Sequence, residues 1–145
     1  MGPLAEARRQ EDVAAPEGRV NAQGVTFDTG VLVALERRKQ RAWDVFRRVH
    51  ERGATVTLPA PVLGEWWRGR TDVREAIRAA VRVEPLTDTV ACLAGEALAA
   101  VKGASTIDAF VMASAALRGD VVFTGDVADL ESLGGFFRGV RVLSI

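Results

Sequence analysis

The sequence predicts a single α/β domain in which a short parallel sheet of about five strands is flanked by helices on both faces. At 145 residues, the chain is long enough to bury the core of one domain and is short for two. Short apolar runs alternate along the chain with segments of helical periodicity. The runs are apolar on both sides of the strand, which is typical of parallel strands covered by helices.

Residues 24–86 contain the first three predicted strands. "GVTF" predicts strand one, "TGVLVALERR" predicts a helix after it, and residues 40–52 predict an amphipathic helix that ends at Gly53. "ATVTLPA" predicts the second strand, and Pro61 suits the first turn of a helix in "VLGEWWRG". Thr71 or Asp72 caps the helix "TDVREAIRAAVR", which precedes a third strand in "VRVEPL".

The second half continues the alternation of helices and strands. "TDTVACLAGEALAAVKG" and "STIDAFVMASAALRG" predict two helices, and "DVVFTGD" predicts the fourth strand. A short helix through Leu133 and a last strand in "VRVLSI" complete the domain, which we assign to residues 25–145. Residues 1–24 are polar and lack the apolar run of a secretory signal, so we expect a flexible extension or a remnant of cloning there.

Composition excludes several classes of function. The chain is 48% hydrophobic and 26% charged, with no apolar stretch near the roughly 20 residues of a membrane helix, so we expect a soluble protein without a membrane partner. Its net charge of +0 gives no general attraction to nucleic acid, which a local patch would have to supply. One Cys and one His make a zinc site or a Ser-His-Asp triad implausible, so hydrolytic chemistry would depend on carboxylates.

Two acids follow predicted strands, where ligands collect in parallel sheets. Asp28 follows strand one and Asp126 follows strand four. Each also suits the N-cap of the next helix, and Asp108 suits a capping motif that begins at Ser105. Capping alone therefore remains an alternative for all three acids.

The fourth candidate acid, Glu65, stands in the apolar context "PVLGEWW". An unpaired carboxylate in apolar surroundings costs several kcal/mol or takes up a proton, and a cation would relieve it. Carboxylates brought close together also raise each other's pKa unless a divalent cation neutralises them. Oxygen-only ligands favour Mg²⁺ or Mn²⁺, and the chemistry implied is metal-assisted hydrolysis of a phosphodiester.

Four stretches in order resemble the motifs of the PIN-domain ribonucleases, in particular the toxin of VapBC toxin–antitoxin modules. They are "VTFDTGVLVAL", "LPAPVLGEWWRG", "STIDAFVMASA" and "VVFTGDVADLESL", and the resemblance covers residues 25–145. It implies an acidic quartet that performs catalysis and binds Mg²⁺ or Mn²⁺: Asp28, Glu65, Asp108 and Asp126. Thr124 matches the hydroxyl residue before the fourth acid, and Asp129 offers a second carboxylate one helical turn on.

The resemblance further implies a cytoplasmic endoribonuclease that cleaves tRNA or rRNA, forms a homodimer and is inhibited by a VapB-type antitoxin lying across the site. The candidate phosphate contacts are Arg37, Arg38, Arg41 and Arg68. A solvated helical face explains any single Arg equally well. A PIN nuclease for RNA processing outside a toxin module and a non-catalytic RNA- or antitoxin-binding module remain alternatives.

Two other classes are disfavoured by single features of the sequence. Asp28 begins an Asp-Thr-Gly triplet, but an aspartic protease needs two such triplets in a mostly β chain, and the triplet occurs here once. Receiver domains and haloacid dehalogenases need a Lys after a late strand, and neither Lys39 nor Lys102 is placed there.

Overall fold

The computed structural model describes residues 23–145, which form a five-stranded, all-parallel sheet of order β3-β2-β1-β4-β5. This confirms the predicted sheet. The extension predicted for residues 1–24 lies outside the described residues, apart from the last two. The strands are β1 (Val25–Phe27), β2 (Val56–Pro59), β3 (Arg82–Glu84), β4 (Val121–Thr124) and β5 (Val142–Ser144).

Within residues 23–145, seven helices connect and flank the strands. They are α1 (Thr29–Glu36), α2 (Gln40–Glu51), α3 (Ala60–Trp66), α4 (Asp72–Ala79), α5 (Asp88–Ala100), α6 (Thr106–Arg118) and α7 (Val127–Gly134). Their positions confirm the predicted alternation. Of the two proposed caps for α4, Thr71 is the one used, and its side chain accepts from the backbone N–H of Arg74. None of these helices is long and apolar enough to cross a membrane.

Adjacent residues of β1 show that helices cover both faces of the sheet. The ring of Phe27 lies 6.0 Å from the ring of Phe46 on α2, centroid to centroid. The hydroxyl of Thr26 instead accepts a hydrogen bond from Arg118 at the end of α6, at 2.6 Å. Because neighbouring side chains of a strand point to opposite faces, α2 and α6 lie on opposite sides of the sheet.

The Arg118 network, formed by Thr26, Glu84, Ser114, Arg118 and Asp120, anchors α6 to the sheet. The Arg118 guanidinium donates to Glu84, Ser114 and Thr26 and to the Asp120 carboxylate at 3.0 Å. Asp120 is only 6% exposed and also accepts from Thr26 at 2.8 Å. A buried carboxylate is tolerated when it is paired and hydrogen-bonded, so the network fixes the C-terminal end of α6 against β1, β3 and β4.

The order of the strands reverses beside β1, which determines where a ligand can bind. The chain leaves β1 for β2 on one side, and β4 later pairs with β1 on the other. The connections at this position diverge and leave a crevice beyond the carboxyl ends of β1 and β4. Asp28 follows β1 and Asp126 follows β4, so the fold brings two of the candidate acids to this crevice.

Candidate active site

Asp28 lies at the N-terminus of α1 and both caps that helix and faces the crevice. Its Oδ1 accepts from the backbone N–H of Val31 at 3.1 Å, as expected of an Asp N-cap. Its Oδ2 accepts from the hydroxyl of Thr124. Burial raises the pKa of Asp28, and the bonds from Thr124 and from backbone N–H groups oppose that rise. Capping and membership of a site are therefore compatible for this residue.

Thr124 joins the ends of β1 and β4. Its side chain is 0% exposed, and its oxygen accepts from the backbone N–H of Asp126 at 3.0 Å while its proton points to Asp28. The backbone N–H of Asp28 in turn donates to the carbonyl of Phe123 at 3.2 Å. One buried hydroxyl thus holds Asp28 in register with the turn that carries Asp126.

Two glycines allow this close approach. A Cβ added at Gly30 would lie 3.3 Å from the Cα and N atoms of Gly125, and one added at Gly125 would lie 3.3 Å from the Cα of Gly30. Such distances are tighter than ordinary van der Waals contact. The absence of side chains at Gly30 and Gly125 lets the first turn of α1 touch the turn after β4.

Asp108 lies in the first turn of α6. The hydroxyl of Ser105 accepts from its backbone N–H at 3.0 Å, which confirms the predicted cap. The pKa of Asp108 is raised, first by burial and then by repulsion from Asp28, Asp129 and Glu65. The four carboxylates are therefore close enough to influence one another, although they come from four separate segments of the chain.

Glu65 corrects one expectation from the sequence. The prediction that it stands in an apolar environment is wrong, because Val62 and Trp66 are buried in the core while the side chain of Glu65 is exposed. Glu65 lines the crevice together with Asp108 and Asp129. Solvent exposure removes the cost of burial, so repulsion by other acids, rather than an apolar surround, connects Glu65 to the site.

Asp126 and Asp129 have different roles in the structure. The side chain of Asp126 accepts from the backbone N–H of Ala128 at 3.0 Å and so caps α7. Asp129, one turn further into α7, adds to the repulsion that raises the pKa of Asp108. The sequence left the fourth acid open between these two residues, and of the two only Asp129 is among the acids whose repulsion raises the pKa of Asp108.

The acids line two adjoining cavities, together called the acid cleft. The first, of about 420 Å³, is lined by Asp28, Thr29, Glu65, Asp108, Asp126 and Asp129 among others. The second, of about 470 Å³, shares Glu65, Asp108 and Asp129 with the first. All five candidate acids therefore face one cleft, but only Asp108, Asp129 and Glu65 border both of its parts.

The sequence did not single out Thr29, which also lines the acid cleft. Its Oγ1 is buried and has no hydrogen-bond partner among the described residues. The sequence feature that could have identified it is its position directly after Asp28, at the start of α1. A buried hydroxyl without a partner is unusual and costs stability.

The donor chemistry of the acid cleft fits a hard divalent cation. All five acids offer carboxylate oxygens, which Mg²⁺ and Mn²⁺ prefer, and a cation would offset the cost of ionising Asp28 and Asp108 there. Within residues 23–145, no three Asp, Glu, His or Cys side chains are already grouped tightly enough to hold a metal ion. The ligands would be Asp28 and Asp108 together with Glu65 and Asp129, whose exposed side chains are able to rotate.

The four candidate phosphate contacts separate into two groups. Arg37 and Arg41 line a third cavity that adjoins the acid cleft. Arg38 is exposed in the same loop but does not line that cavity. Arg68 lies at the end of α3, where its Nε donates to the carbonyl of Glu65 at 3.1 Å. Of the four, only Arg37 and Arg41 thus line a common cavity.

A parallel sheet with a carboxylate-lined cleft at its switch point defines the class of doubly wound α/β domains that bind ligands beyond their strand ends. Within that class the chain belongs to the PIN domain family, whose model matches residues 25–133. PIN domains are generally nucleases. No curated protein matches the sequence of this chain.

Solved structures with the same fold include chains of toxin–antitoxin complexes. A chain of VapBC2 from Rickettsia felis, bound to a DNA fragment from its promoter, has a TM-score of 0.65 and 11% identity, covering 83% of this chain and 98% of its own. A chain of DNA-bound VapBC from Salmonella typhimurium has a TM-score of 0.64 and 16% identity, covering 84% and 98%. FitAcB from Neisseria gonorrhoeae has a TM-score of 0.59 and 16% identity, covering 82% and 96%.

Proposed function

We propose that this protein is an Mg²⁺- or Mn²⁺-dependent endoribonuclease. The observation that carries the proposal is the convergence of acids from four segments on one cleft, where repulsion from Asp28, Asp129 and Glu65 adds to burial in raising the pKa of Asp108. A folded protein keeps such a destabilising arrangement where a site requires it. Membership of the PIN domain family supports the same activity.

Each residue of the acid cleft has a distinct part in the proposed reaction. A bound divalent cation would polarise the scissile phosphate and lower the pKa of the attacking water. Asp28, held by Thr124 and by the first turn of α1, provides a fixed oxygen at the centre of the cleft. Asp108 provides a second oxygen from α6, and Glu65 and Asp129 add exposed carboxylates that line both parts of the cleft.

A cleavage assay tests the nuclease proposal. The purified protein is incubated with total RNA in Mg²⁺, in Mn²⁺ and in EDTA, beside the variants Asp28→Asn and Asp108→Asn. We expect cleavage only with a divalent cation, and a loss of more than about 100-fold in both variants, beyond the loss typical of residues outside a ligand set. Asp72→Asn, an exposed acid outside the cleft, is the matched control and should cleave normally. Equal cleavage by all four proteins would overturn the proposal.

We further propose that the nuclease is the toxin of a type II toxin–antitoxin pair, silenced by a VapB-type antitoxin and active on tRNA or rRNA as a homodimer in the cytoplasm. The support is the likeness of fold to chains of VapBC and FitAB complexes. Expression of the protein alone should stop growth, and co-expression with the product of a neighbouring small gene should restore it. Light scattering on the purified protein measures its oligomeric state.

The alternatives give different results in the same two experiments. A PIN nuclease for RNA processing cleaves RNA with a divalent cation but does not arrest growth that a small partner restores. A non-catalytic PIN module binds RNA or a partner, and its Asp108→Asn variant behaves like the parent protein in every assay.

A further inference from the structure

A third cavity, of about 420 Å³, lies beside the acid cleft and is called the cationic groove. Its floor is aliphatic, with Val33, Ala34 and Ala42, and three cations line it, Arg37, Lys39 and Arg41. It meets the acid cleft at Gly30 and Gly125, which line both cavities. Val33 also lines both cavities, so the boundary between them is glycine backbone with one aliphatic side chain, and an extended chain is able to pass across it.

The three cations of the groove have no acidic partner among residues 23–145. No Asp or Glu of that part of the chain lies within ion-pair distance of Arg37, Lys39 or Arg41, and all three are exposed. Several cations elsewhere are engaged: Arg47 pairs with Asp44 at 3.1 Å. Arg74 pairs with Glu36 at 2.6 Å, Arg70 with Glu75 at 3.0 Å, and Arg118 with Glu84 and Asp120. The positive charge beside the acid cleft is thus not neutralised by these residues.

The loop that carries these cations is held in a defined conformation. Its central residue, Arg38, has a φ of 57°, the left-handed region that a non-glycine residue rarely adopts. The backbone N–H of Lys39 donates to the carbonyl of Ala34 at 2.9 Å, and the indole of Trp43 donates to the carbonyl of Leu35 at 3.0 Å. Backbone strain that the surrounding structure maintains is typical of binding sites.

We propose that the cationic groove is a binding track for single-stranded RNA that leads the strand into the acid cleft from one side. The inference rests on the proposed nuclease function. A polyanion entering a cleft of carboxylates is repelled, and cations beside the cleft offset that repulsion. Phosphates contact Arg37, Lys39 and Arg41, while sugars and bases lie on the aliphatic floor. A phosphodiester track, rather than a peptide site, follows from its continuity with the acid cleft, where the scissile bond sits.

Binding of RNA without cleavage tests the track. Fluorescence anisotropy follows a short labelled single-stranded RNA in EDTA, with the parent protein and with the triple variant Arg37→Ser, Lys39→Ser, Arg41→Ser. Losing three phosphate contacts should make the negative slope of log K against log salt shallower by about 2 and weaken binding about 100-fold at 0.1 M salt. The matched control is Arg48→Ser, Arg52→Ser, Arg82→Ser, which removes three exposed cations away from the groove and should bind within about twofold of the parent.

Two results would overturn the track. One is equal RNA affinity and salt dependence in the triple variant and its control. The other is a triple variant that binds RNA as the parent does but whose toxicity is no longer neutralised by a co-expressed antitoxin. That result would assign the groove to an acidic peptide. Circular dichroism melting checks the fold, and if the triple variant is unfolded, the single variants Arg37→Ser and Arg41→Ser decide, each with an expected loss of about fivefold at 0.1 M salt. The binding assay contains no metal and does not depend on cleavage. If the parent protein fails to cleave RNA in the separate cleavage assay, the nuclease proposal is rejected, while the RNA track is still decided by binding.

Discussion

The hydroxyl of Thr124 donates a hydrogen bond to the carboxylate of Asp28, although the two residues lie 96 positions apart in the chain. Asp28 directly follows β1 and is half-buried, and Thr124 is the last residue of β4 and is fully buried. The bond lowers the pKa of Asp28 against the larger effect of burial, which raises it. Thr124 therefore favours the ionised form of Asp28, which is the form that the proposed divalent cation requires.

Replacing Thr124 separates its hydroxyl from its volume. Thr124→Val keeps the shape but removes a buried donor, so it should destabilise the protein by about 1–3 kcal/mol in urea unfolding. It should also raise the pKa of Asp28 further and shift the onset of metal-dependent cleavage to higher pH. Thr124→Ser retains the hydroxyl and should keep the parent pH profile. A Thr124→Val enzyme with an unaltered pH profile would contradict this account.

The raised pKa of Asp108 predicts a dependence of stability on pH. The folded state binds this proton more tightly than the unfolded chain, so the stability contributed by Asp108 falls as pH rises from its ordinary pKa of 3.8 through the raised value. Asp108→Asn lacks the titration, and its melting temperature relative to the parent should increase over that range. Thermal melts in metal-free buffer, from acid to neutral pH, measure the difference.

Addition of Mg²⁺ or Mn²⁺ at neutral pH should reverse this order. The cation binds the folded parent and stabilises it, while the variant gains less. A constant difference in melting temperature at all pH values, with or without the cation, would rule out the proposed charge coupling.

Asp126 and Asp129 are expected to differ in what their loss affects. Asp129→Asn should reduce cleavage about 100-fold with little change in stability, because Asp129 is exposed and coupled to Asp108. Asp126→Asn retains a capping side chain and should lose less than about tenfold, whereas Asp126→Ala should cost about 1 kcal/mol of stability. Cleavage rates and urea unfolding of the three variants decide between the two acids. If Asp126→Asn loses more cleavage activity than Asp129→Asn, Asp126 is the fourth acid of the site instead.

The contact between Gly30 and Gly125 predicts that replacing Gly30 by Ala destabilises the protein, whereas the same replacement at an ordinary helical glycine stabilises it. Gly30→Ala places a Cβ 3.3 Å from the backbone of Gly125 and 3.4 Å from Oδ1 of Asp28, so it should destabilise the protein by about 1–3 kcal/mol and impair cleavage. Gly95→Ala, in α5, meets nothing within 4 Å and should stabilise by about 0.5–1 kcal/mol. Urea unfolding of the pair measures both signs, and equal effects would show that the approach of the two backbones is not tight.

Residues whose position depends on local pattern were predictable from the sequence. Asp28 and Asp126 follow strands, and parallel strands place their carboxyl ends at one edge of the sheet. Ser105 and Thr71 cap helices for reasons contained in a few neighbouring residues. The fold follows from the same short-range patterns together with the handedness of crossovers.

Residues whose position depends on distant packing were not predictable. The exposure of Glu65 depends on which face of α3 packs against the core. Its apolar neighbours in the sequence predicted burial instead. The choice between Asp126 and Asp129 depends on how α7 is oriented against α6. The Arg118 network joins residues up to 94 positions apart, and no local motif marks it.

The Arg118 network shares no residue with the acid cleft or the cationic groove. The side chains that hold α6 on the sheet are therefore different from those that line the acid cleft and the cationic groove. Substitutions at Arg37, Lys39 or Arg41 leave this anchor intact, so their effects on folding and on recognition are expected to be additive. Evolution is thus able to change the charge of the loop that lines the groove without replacing any side chain that anchors α6.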